Sequence, residues 1–563
     1  MLKFKLVSSL EKAFLDENID AYESFTHMSA LRGETVAFQM LATYRPVKEP
    51  EMRAVVCDIS LSGELAEYAN VRFVRHMPVT KANEHGYGRN EDGYLRTAPG
   101  LYPDLLDDFK YNGKLTLQRV ALESVWIDLT IPADYGKVGE TTLYVNVKAY
   151  DRGNQNVAVH EETLPFTIDV IGATLPEQTL KLTQWFYCDT LAEYYNVPVW
   201  SEEHWRIVEN FARVAARHGQ NMILTPIITP TLDTYVGGER LTNQLVGITK
   251  TADGYIFDFS LLDRWIDMCD RVGIKYLEIA HLFSQWGATN APKVVMTVDG
   301  VEKTVFGWDT DAHSEEYGNF LRALLTEMLD HLKARGDDKR CHFHISDEPH
   351  EEHLEDYKKS QEQVKEVLKG YTIMDALSSF EFYKRGVTET PIPATRNAHT
   401  FIEGGVRDMW VYYCGWAGFG CSSRMLAMPA ERNRALGMQL YKYEIVGFLH
   451  WGYNFYNCCH SYSRINPFCD LCGDNWVAAG DTFMVYPGLN GEPLESTRIF
   501  VLNQGLADMR AMQLCEKYYS HEEVVKAIDE VAGIDVRFDN TICDASTVLK
   551  IRERINQMIK AKL

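Results

Sequence analysis

The run Cys341-His342-Phe343-His344-Ile345-Ser346-Asp347-Glu348-Pro349-His350 carries the most chemistry in the chain. As a strand it alternates: Phe343 and Ile345 face a covering layer of helices, while His342, His344 and Ser346 face inward. A polar inner face is costly unless its groups bond to one another or to a ligand. Pro349 has no N–H to continue a ladder, so the strand stops there and Asp347 and Glu348 occupy its C-terminal end. An acid buried beside a second negative charge keeps its proton to higher pH and can protonate a leaving-group oxygen. Carboxylates on different strands, roughly 5–5.5 Å apart, suit a nucleophile-and-acid pair that cleaves glycosides. Neighbours in sequence suit another division of labour: one moves protons while the other steadies a nucleophile carried by the substrate, namely a 2-acetamido oxygen. Asp-Glu-Pro is also an ordinary way to end a strand and open a helix, where acids favour the helix dipole. The polar strand before it decides for chemistry.

The elements around this run divide in two. Before about residue 175 the runs are short and alternating: Val36–Leu41, Val71–Met77, Ser124–Ile131, Thr141–Ala149 and Pro165–Val170 read as strands. They predict an antiparallel β-sandwich over residues 1–174. Helical spacing is nearly absent there, apart from Leu65–Tyr68, and GATLPEQ (172–178) reads as a linker. From residue 179, strands alternate with longer amphipathic helices such as Ser201–His218, which opens on a Ser N-cap. The strands are Leu182–Cys188, Met222–Ile228, Tyr276–His281, Cys341–Ser346, Thr372–Leu377, Pro393–Thr400, Met409–Tyr413 and Val446–Trp451. Eight such units over 179–515 predict a parallel sheet closed into a (β/α)8 TIM-like barrel, with its site at the strands' C-terminal ends. A doubly wound open sheet is the alternative, without a glycine-rich phosphate loop to recommend it. Residues 516–563, including Ala545–Lys562, read as a short helical C-terminal extension. The expected fold class is multidomain β plus α/β.

HISDEP, GFLHWGYNFY, GDTFMVYPG and ESTRIFVLNQGLADMRAM resemble the signatures of glycoside hydrolase family 123 and of relatives with the domain of unknown function 4091. GLYPDLL and VWIDLTIPADYGKVGETTLYVNV resemble that family's sandwich, more weakly. The resemblance covers most of the chain. It implies a retaining exo-acting β-N-acetylgalactosaminidase working through an oxazolinium intermediate, with a glycan ending in a 2-acetamido sugar as partner. The family's adjacent Asp and Glu match Asp347 and Glu348. Asp347 would hold the acetamido N–H, and Glu348 would protonate the glycosidic oxygen and then activate water. No metal or cofactor is implied.

Sugars stack their C–H faces on aromatic rings, and aromatics gather near the expected strand ends: Trp185, Tyr187, Trp286, Tyr412, Tyr413, Trp416, Trp451 and Tyr453. Trp451 and Tyr413 are the foremost substrate-binding candidates, with Trp286, Trp185 and Tyr453 behind them. His281, Asn454, Asp189 and Asp375 are candidate hydroxyl partners, for each of which a structural role is about as plausible. Cys458, Cys459, His460, Cys469 and Cys472 offer ligand types for a zinc site. Adjacent Cys458 and Cys459 cannot both ligate without an awkward turn, so incidental thiols are the better explanation.

Composition narrows the partners. Of 563 residues, 57 are Lys or Arg and 79 Asp or Glu, a net charge of −22 that disfavours nucleic acid and anionic membranes. Charges at Lys3, Lys5, Glu11 and Lys12 interrupt any signal-like apolar core, and twelve scattered cysteines form no disulfide framework. A cytoplasmic protein with reduced thiols is expected, and homo-oligomers are left open. Two other classes compete: a non-catalytic carbohydrate-binding barrel, which would have lost Asp347 or Glu348, and a metallohydrolase using the Cys/His loop.

Overall fold

The computed structural model describes residues 1–45, 54–83, 93–108, 113–415 and 420–563. The first 174 residues form two facing five-stranded sheets. One runs Leu2–Ser8, Thr35–Tyr44, Leu122–Thr130, Ala69–Val79, Gly100–Asp108; the other runs His27–Arg32, Asn154–Thr174, Gly139–Asp151, Ala54–Ser62, Lys114–Gln118. Every pairing is antiparallel except that of Asn154–Thr174 with His27–Arg32. Period-two alternation sends Phe38, Met40, Val125 and Ile127 into the core between the sheets. Their neighbours Ala37 and Trp126 point the other way, into the large core of the rest of the chain. The first sheet is therefore apolar on both faces.

Beyond the sandwich, eight strands run parallel where they pair. In chain order they are Lys181–Gln184, Met222–Thr225, Tyr276–Ile279, Cys341–Phe343, Thr372–Ala376, Thr390–Ile392, Trp410–Tyr412 and Gly447–His450. The second to sixth make one sheet in sequence order, and the first, eighth and seventh make another. The backbone ladder is not continuous around all eight. Between the first and second strands side chains supplement a backbone bond from Asn221 N to Leu182 O (3.2 Å): Asn221 Oδ1 accepts from Leu182 N (2.8 Å) and Gln220 Nε2 donates to Gln184 O (3.0 Å). Between the sixth and seventh there is a single parallel bridge, Ala394 to Tyr412.

Helices succeed the strands, among them Glu202–Arg217, Ser260–Val272, Glu315–Arg335, Leu354–Val364 and Thr497–Cys515. The Ser201 hydroxyl caps the first of these by accepting from His204 N. The expected sixth strand is corrected: the strand is Thr390–Ile392, and most of Pro393–Thr400 is a turn leading into the helix Ala398–Glu403. Ala398 and Phe401, three apart, both enter the core, which is helical and not strand spacing. A four-stranded sheet of two hairpins, Gly247–Asp258 and Val294–Phe306, flanks the third strand and was not foreseen. No helix among the described residues is long and apolar enough to cross a membrane.

Buried charge ties the parts together. Asp104 of the sandwich accepts from Arg498 Nε (2.8 Å) and Nη2 (2.9 Å) and from the Tyr486 hydroxyl (2.5 Å). Arg552, on the C-terminal helix Ala545–Lys560, reaches Glu34 at 2.7 Å and Asp508 at 2.9 Å. Removing one partner of a buried pair leaves an uncompensated charge. Asp104→Ala is therefore expected to cost about 3–5 kcal/mol, read as a lower urea midpoint. Asp20→Ala, whose partner Lys3 is exposed, should leave the midpoint close to the native value.

Candidate active site

The inward polar face of the fourth strand is satisfied by its neighbours. His344 Nε2 donates to Glu278 Oε1 (2.8 Å) on the third strand, and Nδ1 donates to Asp375 Oδ1 (3.1 Å) on the fifth. All three side chains are completely buried. Burial alone would depress the His344 pKa, but the hydrogen bonds and charges of Asp375 and Glu278 outweigh it and raise it to about 9. An imidazolium thus links three strands. Glu278 also accepts from Trp185 Nε1 (2.8 Å), and Asp375 from Tyr357 Oη and Ile345 N. Asp375 is a structural acid.

Just past this clamp the chain reaches Asp347 and Glu348. In a regular strand they would point to opposite faces. Glu348 instead takes a left-handed backbone conformation (φ +43°), with its N–H donated to Ala376 O (3.0 Å), and both carboxylates line one cavity. This cavity, of about 150 Å³, is lined by Trp185, Asp233, Gln285, Trp286, Ala376, Tyr412, Cys414, Gly415, Leu449, Trp451, Trp476, Val477 and Asp481 besides the pair. Four of these residues are carboxylic acids, and none of the described lining residues is basic.

Each carboxylate has a dedicated partner. Gln285 Oε1 accepts the Asp233 N–H (2.6 Å), which turns the amide so that Nε2 donates to Asp347 Oδ2 (2.8 Å). Burial, then the charge of Glu348, pushes Asp347 well above the usual carboxylate range, with Gln285 opposing. Tyr412 Oη donates to Glu348 Oε1 at 2.6 Å; burial and the Glu348 charge keep this phenol protonated. Asp233 is pushed up to about 7, mainly by burial. On the opposite wall Asp481 Oδ2 accepts from Trp451 Nε1 (2.8 Å), and its Oδ1 lies 3.2 Å from His450 Nε2. His450 Nδ1 accepts from Gly452 N, so the His450 proton sits on Nε2. With its N–H committed, Trp451 offers a ligand its ring.

Of the residues expected from sequence, Asp347, Glu348, Trp451, Trp286 and Trp185 line the cavity. Four others do not. Tyr413 is on the wrong face of its strand: Trp410 and Tyr412 point inward, while Tyr413 packs on Phe448 and donates to Asn433. Tyr453 is buried and donates to Phe211 O, and Asn454 bonds the backbone N and O of Tyr187. The buried His281 ring stacks on His344 at 4.2 Å and meets Trp185 edge-on. Asp189 pairs with Arg240, and Trp416 lies outside the described residues. Asp233, Gln285, Trp476 and Asp481 went unremarked. Their signal was position, since Asp233 and Gln285 sit in the loops after the second and third strands.

Among the described residues, the side chains of the thiol loop bond elsewhere and do not gather. Cys458 Sγ accepts from Ser463 N, Cys472 Sγ accepts from Lys81 N, and none of these cysteines belongs to a group of three gathered ligands. Among the described residues His281, His344 and Asp375 alone gather to within 4.8 Å. There both His344 nitrogens carry protons to carboxylates and have no lone pair for a cation.

Residues 185–515 match the family model described as Glycoside hydrolase 123, catalytic domain. Over its whole length the chain is similar to a family 123 glycoside hydrolase from Clostridium perfringens, the subject of a structural analysis of glycolipid glycan hydrolysis. Identity is 14%, the TM-score is 0.70, and the match covers 100% of this chain and 98% of that one. This likeness shows a shared fold. The Bifidobacterium dentium β-glucuronidase (9% identity, TM-score 0.32, covering 90% of this chain and 66% of that one) is too remote to bear on it. The same holds for a Thermobacillus composti GH10 xylanase (11%, TM-score 0.30, covering 58% and 97%). No curated protein matches.

The clamp has a pH signature. Because the His344 pKa is raised from 6.5 to about 9, its stabilisation is fully present below pH 6.5 and is lost as pH rises through 9. The difference in urea midpoint between the native chain and His344→Gln should therefore shrink between pH 7 and pH 9.5. A constant difference would show that His344 is neutral.

Proposed function

The chain belongs to glycoside hydrolase family 123, and from that premise we propose that it removes terminal β-linked N-acetylgalactosamine from glycans, with retention, through an oxazolinium formed by the substrate's own acetamido group. The observation that carries this reading is the placing of two sequence-adjacent carboxylates in one cavity by the turn at Glu348. The reading takes the three- and five-stranded sheets as parts of one (β/α)8 ring, supported by the links at both seams. The Clostridium perfringens relative, whose structure was used to analyse glycolipid glycan hydrolysis, supports a glycan substrate. A cavity with four acids and no basic described residue suits a neutral sugar.

The mechanism divides the pair. Burial beside the Glu348 charge favours the protonated form of Asp347. A bound 2-acetamido group presents an N–H donor, which favours the Asp347 carboxylate and leaves the proton to Glu348. Asp347 aligns the acetamide so that its oxygen attacks the anomeric carbon as the glycosidic bond breaks. Glu348 gives its proton to the leaving oxygen. Positive charge spreads over the oxazolinium and is stabilised by Asp347. Glu348, now a base, takes a proton from water as that water opens the ring. Tyr412 orients Glu348 and Gln285 orients Asp347. Trp451 supplies an apolar face for the sugar ring.

Aryl 2-acetamido-β-galactosides should be cleaved and the corresponding 2-hydroxy galactosides left intact. Glu348→Gln should lower kcat by about 10²–10⁴-fold for poor leaving groups and far less for nitrophenyl glycosides, whose departure needs little acid help. Asp347→Asn should lower kcat for both. A native rate for Asp347→Asn, or for Glu348→Gln on a poor leaving group, would remove the assignment.

A further inference from the structure

The segment after Tyr456 is not used by the mechanism above, yet it reaches the mouth of the cavity. His460 meets Trp286 edge-on at 5.4 Å and lies 6.3 Å from Trp476, two rings that line the cavity. His460 O accepts from Tyr235 N (3.0 Å), and Ser461 Oγ donates to Asp233 O (2.7 Å), which joins this segment to the loop after the second strand. On the outer side Tyr235 and Tyr462 stack at 4.4 Å with their planes 13° apart. Tyr462 is 67% exposed and Trp286 38%.

Aromatic rings held this far into water lose apolar burial and are uncommon without a use. The backbone beneath them is strained as well. Asp233 (φ +49°), Trp286 (φ +54°), His460 (φ +51°) and Ser461 (φ +56°) are all left-handed without being glycine, a state that persists only where the surroundings enforce it. His460 Nδ1 is buried and has no hydrogen-bond partner among the described residues.

We propose that Trp286, His460, Tyr235 and Tyr462 form a platform for the leaving-group side of the substrate, on which a neutral sugar beyond the cleaved bond stacks. The inference rests on the glycosidase reading and deepens it, from terminal sugar to extended glycan. The occupant is set by continuity: a chain whose terminal ring fills the cavity must leave past half-exposed Trp286, and the next rings on that side are these. The C–H face of a pyranose matches an open tyrosine ring.

The test compares a nitrophenyl β-GalNAc glycoside with a neutral β-GalNAc-terminated tetrasaccharide. Tyr462→Ala should lower the tetrasaccharide-to-aryl ratio of kcat/KM about tenfold, chiefly through KM, consistent with the loss of one stacking contact. Tyr462→Phe, which keeps the ring, should restore the ratio to within about twofold of the native value, and Tyr235→Ala should act like Tyr462→Ala. If the native chain cleaves both substrates and Tyr462→Ala leaves the ratio unaltered, the platform is overturned and the glycosidase reading stands. If the native chain cleaves no GalNAc glycoside, that reading fails and takes the platform with it.

Discussion

One buried cation organises the candidate site. The His344 imidazolium donates to Glu278 on one neighbouring strand and to Asp375 on the other. A polar residue on the inner face of a central strand would be a liability if left unpaired. Here it crosslinks three parallel strands whose ladder partners number only a few residues each. Its two acceptors are also occupied by Trp185, Tyr357 and the Ile345 N–H, so the cavity floor and the chain leading to Asp347 share one network. Position at the acids is set three residues before them.

Immediately beyond the clamp, the backbone solves a side-chain problem. A regular strand cannot aim two adjacent side chains into one cavity. The left-handed turn at Glu348, held by Ala376 O, does so and brings two acids close enough to perturb each other. Gln285 and Tyr412 then give each acid its own donor. The sandwich contributes at a distance: its first sheet is apolar on both faces, and Asp104 anchors Arg498 at the start of the helix Thr497–Cys515.

Much of this was legible in the sequence. Alternation at 341–346 exposed the polar inner face, but the strand is shorter than that alternation suggests: it ends at Phe343, well before Pro349. Five of the ten sandwich strands, the Ser201 cap and seven of the eight parallel strands could be read from periodicity. The sixth strand lies before Pro393 and not after it; a three-residue element, Thr390–Ile392, offers too little alternation to count. Tyr413 was preferred to Tyr412 for a related reason: one residue of parity decides which ring faces the cavity, and a strand as short as Trp410–Tyr412 gives little pattern to count. Asp233, Gln285 and Asp481 come from loops, whose long-range partners leave no periodic trace. Tyr453 and Asn454 carried the right chemistry, but backbone partners consumed it, and the His281 ring is buried against His344 and Trp185.

The central claim is that Asp347 steadies an amide of the substrate during attack. The most direct measurement is inhibition by the thiazoline analogue of GalNAc, which copies the cyclised intermediate. The account predicts competitive inhibition much tighter than substrate binding, weakened by about tenfold or more in Asp347→Asn. An active enzyme indifferent to that compound would contradict it.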